Sequence, residues 1–186
     1  MFKHKIPPEP WHAFLTDIDA SVSTPLRLDC IGGFVVTLLY GFDRPTADVD
    51  ILELAPRHLD GQVMELAMRG GPLNRKHHIY LDRVTVAMVP ENYEQRLTEM
   101  FPGVYKHLRL MALDPYDLAL SKLERNVQKD RDDVRFLAKT IPLDIAILKN
   151  RYEQELRWQL GNPLREDLTL QLWTEMLHQD QTNGIA

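Results

Sequence analysis

Asp48 and Asp50 stand one residue apart in "RPTADVDIL", residues 44 to 52, and a glycine pair, Gly32 and Gly33, stands shortly before them in "CIGGFVVTLLYG", residues 30 to 41. On a β-strand, residues i and i+2 point to the same face, about 6.6–7 Å apart along the chain. Two ionised carboxylates that close repel each other unless a cation lies between them. Magnesium suits such a pair, because it prefers hard oxygen ligands and is usually held by one or two carboxylates plus substrate phosphates. Glycines at a strand-to-helix junction let the backbone approach a ligand closely. The free N–H groups of a helix start favour phosphate. Together these residues describe a site for a metal–nucleotide complex, and in-line phosphoryl transfer with two metals about 3.5–4 Å apart fits it.

These groups need elements to carry them. "LRLDCI", residues 26–31, reads as a strand, "GGFVVTLLYG" as a helix opened by Gly32 and stopped by Gly41, and "DVDILEL" as a second strand with Val49 and Ile51 turned to the core. Residues 10–20 place Trp11, Phe14, Leu15 and Ile18 at helical spacing. "RHLDGQVMELAMRG" reads as a helix ending at Gly70 and Gly71. "HHIYLDRVTVAMVP" reads as two short strands or one long one, "NYEQRLTEMF" as a short helix, and residues 105–113 as a last strand. From Asp114 the pattern turns helical over residues 115–127, 131–140, 143–159 and 164–178, with a fraying tail. The expected fold class is α+β: a mixed sheet with flanking helices over residues 1–113, then a helical C-terminal region over residues 114–186 packing on that core.

The signature "IGGFVVTLLYGFDRPTADVDIL" resembles that of the DNA polymerase β-like nucleotidyltransferase superfamily: a Gly-Gly or Gly-Ser turn, a short helix, then Ser/Thr-x-Asp-x-Asp. Thr46, Asp48 and Asp50 match the last motif residue by residue. The Arg44-x-Thr46-x-Asp48-x-Asp50 form is similar to the bacterial minimal and toxin–antitoxin branch, and especially to small nucleotidyltransferase-like relatives of AbiEii-type toxins. Phe34 stands where many active transferases carry a serine that contacts phosphate.

The resemblance implies a nucleotidyltransferase-fold sheet and a metal-dependent enzyme that uses a nucleoside triphosphate and two magnesium ions. It implies a third acidic residue from a later strand. Asp82 is the candidate, as metal ligand or as general base toward the attacking hydroxyl; the other reading makes it a turn residue. Gly32, Gly33, Arg44 and Thr46 fall on the phosphate side. In the helical half, Lys122 and Arg125 share a helix face, and with Asp133 they resemble later motifs of the same branch. Lys122 would contact the triphosphate and Asp133 would orient it or assist a metal ligand; the alternative is a solvated face of ordinary salt pairs. Asp114, Asp117 and Asp130 read as helix-capping residues.

The implied acceptor is an RNA end, a protein side chain or a small molecule such as an aminoglycoside. A toxin of a toxin–antitoxin pair would have a cognate antitoxin protein as partner. The alternative function is a non-catalytic nucleotide-sensing or protein-binding module that retains the fold; a plain structural domain with chance motifs is a third.

Bulk properties bound these readings. The chain has 186 residues, 44% hydrophobic and 26% charged, which suits one globular domain or one core with an appendage. Its net charge of −5 argues against coating nucleic acid through a general basic field. Cys30 is the single cysteine, which rules out an internal disulfide and a four-cysteine zinc site and reads as a small buried hydrophobe. No apolar segment follows the basic N-terminus, and no run nears the roughly 18 apolar residues of a membrane span, so a cytoplasmic protein without a membrane partner is expected. His77 and His78 read as strand neighbours pointing to opposite faces, near the surface. Trp158 and Trp173 read as helix-packing residues, or else as a partner surface.

Overall fold

The computed structural model describes residues 5–85 and 87–182, with the side chain of Gln181 left aside. The chain divides into two units: residues up to 85 with 97–113, and 86–96 with 114 onward. The division at 113/114 falls where the sequence pattern changes. Residues 86–96, however, group with the helices.

The first unit is α+β. Its sheet has five strands, β1 (Leu26–Ile31), β2 (Asp48–Ala55), β3 (Tyr80–Arg83), β4 (Thr98–Met100) and β5 (Leu108–Ala112), in the order β3-β2-β1-β5-β4. β1 is antiparallel to β2 and parallel to β5, β2 is parallel to β3, and β4 is antiparallel to β5. The helices are α1 (Trp11–Ala20), α2 (Gly32–Leu38), α3 (Asp60–Ala67) and α4 (Pro72–His77). Trp11, Phe14, Leu15 and Ile18 form the buried face of α1, as their spacing predicts, and the Trp11 ring lies 5.3 Å from that of Phe34. Leu26, Leu28, Val49, Ile51, Leu108 and Leu110 supply the buried sheet residues.

The second unit holds α5 (Pro115–Leu120), α6 (Gln128–Thr140), α7 (Ile145–Arg151) and α8 (Pro163–Thr182). Leu120, Leu123, Val134, Leu148, Leu156 and Leu177 close around Trp173, whose indole N–H donates to Asn126 Oδ1 at 3.0 Å. Arg96 ties residues 86–96 to this unit by bridging Asp117 (2.8 Å) and Glu155 (2.8 Å).

Several expectations are corrected. Only Tyr80–Arg83 is strand in "HHIYLDRVTVAMVP"; Val84 gives its N–H to Ile51 O, the described residues after it leave the sheet, and Val86 lies outside the described residues. "NYEQRLTEMF" is a 3-10 turn at Tyr93–Arg96 and then β4, because pairing with β5 overrides local preference. The helix expected over 115–127 stops at Leu120, where the Ser121 hydroxyl bonds back to Leu118 O at 2.7 Å and competes with the helical ladder. The helix expected over 143–159 gives way after Arg151 to a π turn (Tyr152–Leu156) and a 3-10 turn (Arg157–Gln159). Trp158 is 65% exposed rather than packed. α8 stays helical to Thr182 where fraying was expected, and the last four residues lie outside the described residues. His77 ends α4 and His78 takes a left-handed conformation, so neither is on a strand.

Candidate functional site

β2 alternates as its sequence requires: Val49 and Ile51 are fully buried, while Asp48 and Asp50 are half-buried on the opposite face. On one side, β3 pairs Asp48 with Tyr80 and Asp50 with Asp82. Paired residues in register point to the same face, so Asp48, Asp50, Tyr80 and Asp82 form a two-by-two block on one side of the sheet. On the other side, Ile31 of β1 pairs with Asp50, and the next residue, Gly32, opens α2.

The two glycines now have separate reasons. Gly32 sits at φ +71°, and a Cβ there would lie 2.0 Å from Asp50 Oδ2. A Cβ on Gly33 would lie 2.3 Å from an Nη of Arg44 and 3.5 Å from Thr46 Oγ1. Gly32 therefore makes room for a carboxylate and Gly33 for a guanidinium. The Thr46 hydroxyl donates to Asp48 Oδ1 at 2.6 Å and holds that carboxylate in place. The Arg44 guanidinium lies 5.8 Å from the centroid of the Phe42 ring. So Gly32, Gly33, Arg44, Thr46, Asp48, Asp50 and Asp82 are gathered in the first unit.

These are hard oxygen donors of the kind magnesium takes. Asp50 Oδ2 occupies the space that only a glycine at position 32 leaves. Among the described residues no three His, Cys, Asp or Glu side chains are drawn together tightly enough to hold a metal ion by themselves. A magnesium ion here would therefore complete its shell with substrate oxygens and water, as it commonly does.

Arg69 also belongs to this neighbourhood. Its guanidinium lies 4.5 Å over the Tyr80 ring and donates to the Tyr80 hydroxyl. The Tyr80 hydroxyl first, and more weakly the charges of Asp82 and Asp48, make it hold its proton more firmly than an ordinary arginine. In sequence, Gly70 and Gly71 look like a helix stop and give Arg69 no role. The usable signal was an arginine inside "MRGG".

Lys122, Arg125 and Asp133 lie in the helical unit. Lys122 is buried, with Nζ 2.6 Å from Asp133 Oδ2 and 3.8 Å from Asp130 Oδ1. Arg125 grips Asp130 through two bonds of 2.8 and 2.5 Å. Burial pushes the Asp130 carboxyl up, but Arg125 and Lys122 outweigh it and leave the pKa below the ordinary value. Asp130 also accepts the Val127 N–H at 3.1 Å, and Asp114 accepts the Asp117 N–H at 2.9 Å; both act at helix starts as their spacing suggests. Asp117 does more than sit at a helix start: it is fully buried and faces Arg96 and Arg151, and burial raises its pKa.

His77 is not a surface group. Its ring is 9% exposed, with Nε2 2.7 Å from Asp17, which also meets Lys76 at 2.6 Å. Cys30 is fully buried, and burial, then the charges of Asp29 and Asp50, push its thiol pKa up, so it supplies no nucleophile.

Among the described residues no helix is long and apolar enough to cross a membrane. No curated protein and no solved structure matches the chain. A family model does, over residues 15–179, and its description is "Nucleotidyltransferase of unknown function (DUF6036)". The match spans most of the chain and runs through the Gly-Gly turn, the paired aspartates and the helical unit, so the chain belongs to this family of nucleotidyltransferases.

Proposed function

We propose that the protein transfers a nucleoside monophosphate from a nucleoside triphosphate to a hydroxyl acceptor. The acceptor oxygen bonds the α-phosphorus, the bond from that phosphorus to the bridging oxygen breaks, and pyrophosphate leaves. The observation that carries the reading is the block of Asp48, Asp50 and Asp82 on one sheet face, beside a glycine that no other residue could replace without displacing Asp50.

Asp48 and Asp50, joined by Asp82, would hold one or two magnesium ions, which when bound offset the charge of the triphosphate and the leaving group. Thr46 fixes Asp48. Gly32, Gly33 and Arg44 form the phosphate side. Asp82, the most exposed of the three carboxylates, takes the proton of the acceptor hydroxyl. Catalysis is then positioning plus electrostatics. A role in the reaction for Lys122, Arg125 and Asp133 rests on the resemblance alone. So does the toxin reading, in which the acceptor is the cell's own RNA or protein and a cognate antitoxin restrains the chain.

One observation favours a second reading, a nucleotide-sensing module without turnover. Phe34 is fully buried where a serine would offer phosphate a hydroxyl. Incubation with each of the four α-phosphate-labelled nucleoside triphosphates, magnesium, and total cell RNA and protein separates the two. Label entering one fraction, and lost in Asp48→Ala/Asp50→Ala, is the expected result and names the acceptor class. Magnesium-dependent nucleotide binding with no label transferred would favour the sensing module, and neither binding nor transfer would sink both.

A further inference from the structure

Two cationic flanks border the carboxylate block from opposite sides. Gly32, Gly33 and Arg44 lie toward β1. Arg69 lies beyond β3, because Met68 forms a parallel bridge with Leu81 on the strand edge that β2 does not use. The turn that follows is built to hold it there. Gly70 is at φ +81°, and a Cβ on Gly71 would meet the carbonyl oxygens of Leu66, Glu65 and Met68 at 2.8 to 2.9 Å. Arg75 donates to the Gly70 carbonyl. Arg69 and Arg75 are thus fixed by neutral oxygens, a tyrosine hydroxyl and a carbonyl, and among the described residues neither forms a salt bridge.

The local charge agrees. From residue 69 to 83 the chain carries Arg69, Arg75, Lys76 and Arg83 against Asp82; Lys76 is met by Asp17 and Arg83 by Asp60, so Arg69 and Arg75 are the cations this edge offers to an anion. A guanidinium stacked on an aromatic ring presents a planar fork suited to phosphate oxygens.

We propose that Arg69, steadied by Tyr80, is the acceptor-side anchor of the site and that it binds a phosphate beside the acceptor hydroxyl, so that the acceptor is a nucleic-acid strand end. This rests on the transferase reading, in which the triphosphate occupies the β1 flank and leaves the β3 flank to the acceptor. A cationic acceptor such as an aminoglycoside would meet repulsion at Arg69. A protein hydroxyl would leave this guanidinium without a phosphate to bind.

The test uses two probes on the full chain, the wild type beside Arg69→Gln and Arg69→Lys. The first is manganese with a non-hydrolysable nucleoside triphosphate, followed by calorimetry. The second is a short single-stranded oligoribonucleotide with a free 3′ hydroxyl, followed by fluorescence anisotropy over a salt series. Arg69 is exposed, and melting curves without ligand check that the variants fold. The expected result is nucleotide affinity unchanged within twofold and oligoribonucleotide affinity reduced about tenfold in Arg69→Gln, with the salt slope lower by about one and partial recovery in Arg69→Lys. An oligoribonucleotide affinity and slope equal to wild type would overturn the inference. So would a loss of nucleotide binding, which would put Arg69 on the wrong flank. A wild type that binds nucleotide but not oligoribonucleotide overturns the inference and spares the transferase reading. A wild type that binds neither removes both.

Discussion

In the helical unit, Asp114, Asp117, Asp130, Asp133 and Glu155 each face a cation within 3.0 Å. In the α/β unit, Asp48 faces a threonine hydroxyl, and neither Asp48 nor Asp82 forms a salt bridge among the described residues. A buried carboxylate must be paired to be tolerated, so the helical group is explained by the fold it supports. Like charges gathered on a half-open sheet face gain nothing for folding. On the proposed function they would meet a cation and an anion that arrive from solution. On the proposed function the contrast is between acids that hold the protein together and acids that serve a ligand, and it can be attacked from both sides.

The largest expected effect is on the open group. Asp48→Ala/Asp50→Ala should lower nucleotidyl transfer on the order of a thousandfold, the equivalent of several kcal/mol of charge stabilisation at the reacting phosphate. Asp48→Ala alone, which removes no salt bridge among the described residues, should leave thermal stability equal to wild type or slightly above, because repulsion is relieved. An Asp48→Ala variant that melts well below wild type would show that this carboxylate holds the fold after all.

The helical group should behave in the opposite way. Lys122→Met leaves Asp133 buried without its ammonium partner and should cost about 3–5 kcal/mol in denaturant unfolding. Lys122→Met/Asp133→Leu removes both charges and should return to within about 1 kcal/mol of wild type. The stable double variant also sharpens the comparison. Transfer that survives in it takes Lys122 out of the reaction, and transfer that fails in it puts Lys122 in.

The glycines come next. Gly32→Ala should cost about 1–2 kcal/mol for its left-handed backbone. It should also slow transfer, because the new Cβ would lie 2.0 Å from Asp50 Oδ2. Gly33→Ala should do less to either readout, since it meets the end of the flexible Arg44 side chain. Equal effects at the two positions would mean that Asp50 is not held where the structure puts it.

What could be read from sequence was what is local. β1 matches the strand read over residues 26–31 end to end, and β2 and α2 follow from alternation and from the glycine pair. The Asp48–Asp50 half of the site came with them, because two residues on one strand carry their own geometry. What escaped depends on a distant partner. β4 has three residues and exists by pairing with β5. His77 is sheltered by Asp17, sixty residues earlier in the chain. Arg69 matters through Tyr80 on β3, and the turn between them reads in sequence only as the end of a helix. The break after α7 has no sequence signal that we can name, since residues 145–159 keep helical spacing through it.

Asp19 tests the comparison from a third direction, as a carboxylate satisfied by neutral donors. It sits on α1 and accepts the N–H groups of Lys106, His107 and Leu108, at 3.1, 2.6 and 2.7 Å, where the chain enters β5. Burial raises its pKa, but the three N–H bonds outweigh burial and hold it below the ordinary 3.8. A carboxylate with a depressed folded pKa stabilises the protein above its unfolded pKa, and that contribution is lost as pH falls through the folded value. Asp19→Asn should therefore be about 1–2 kcal/mol less stable than wild type at pH 7, the lower end of the range for hydrogen bonds to charge because the site is partly open. The gap should narrow in melts taken below an ordinary aspartate pKa of 3.8 and close below the lower folded value. A gap that stays constant from neutral to acid pH would mean that Asp19 acts by shape and not by charge. Its carboxylate would then belong with neither group of acids.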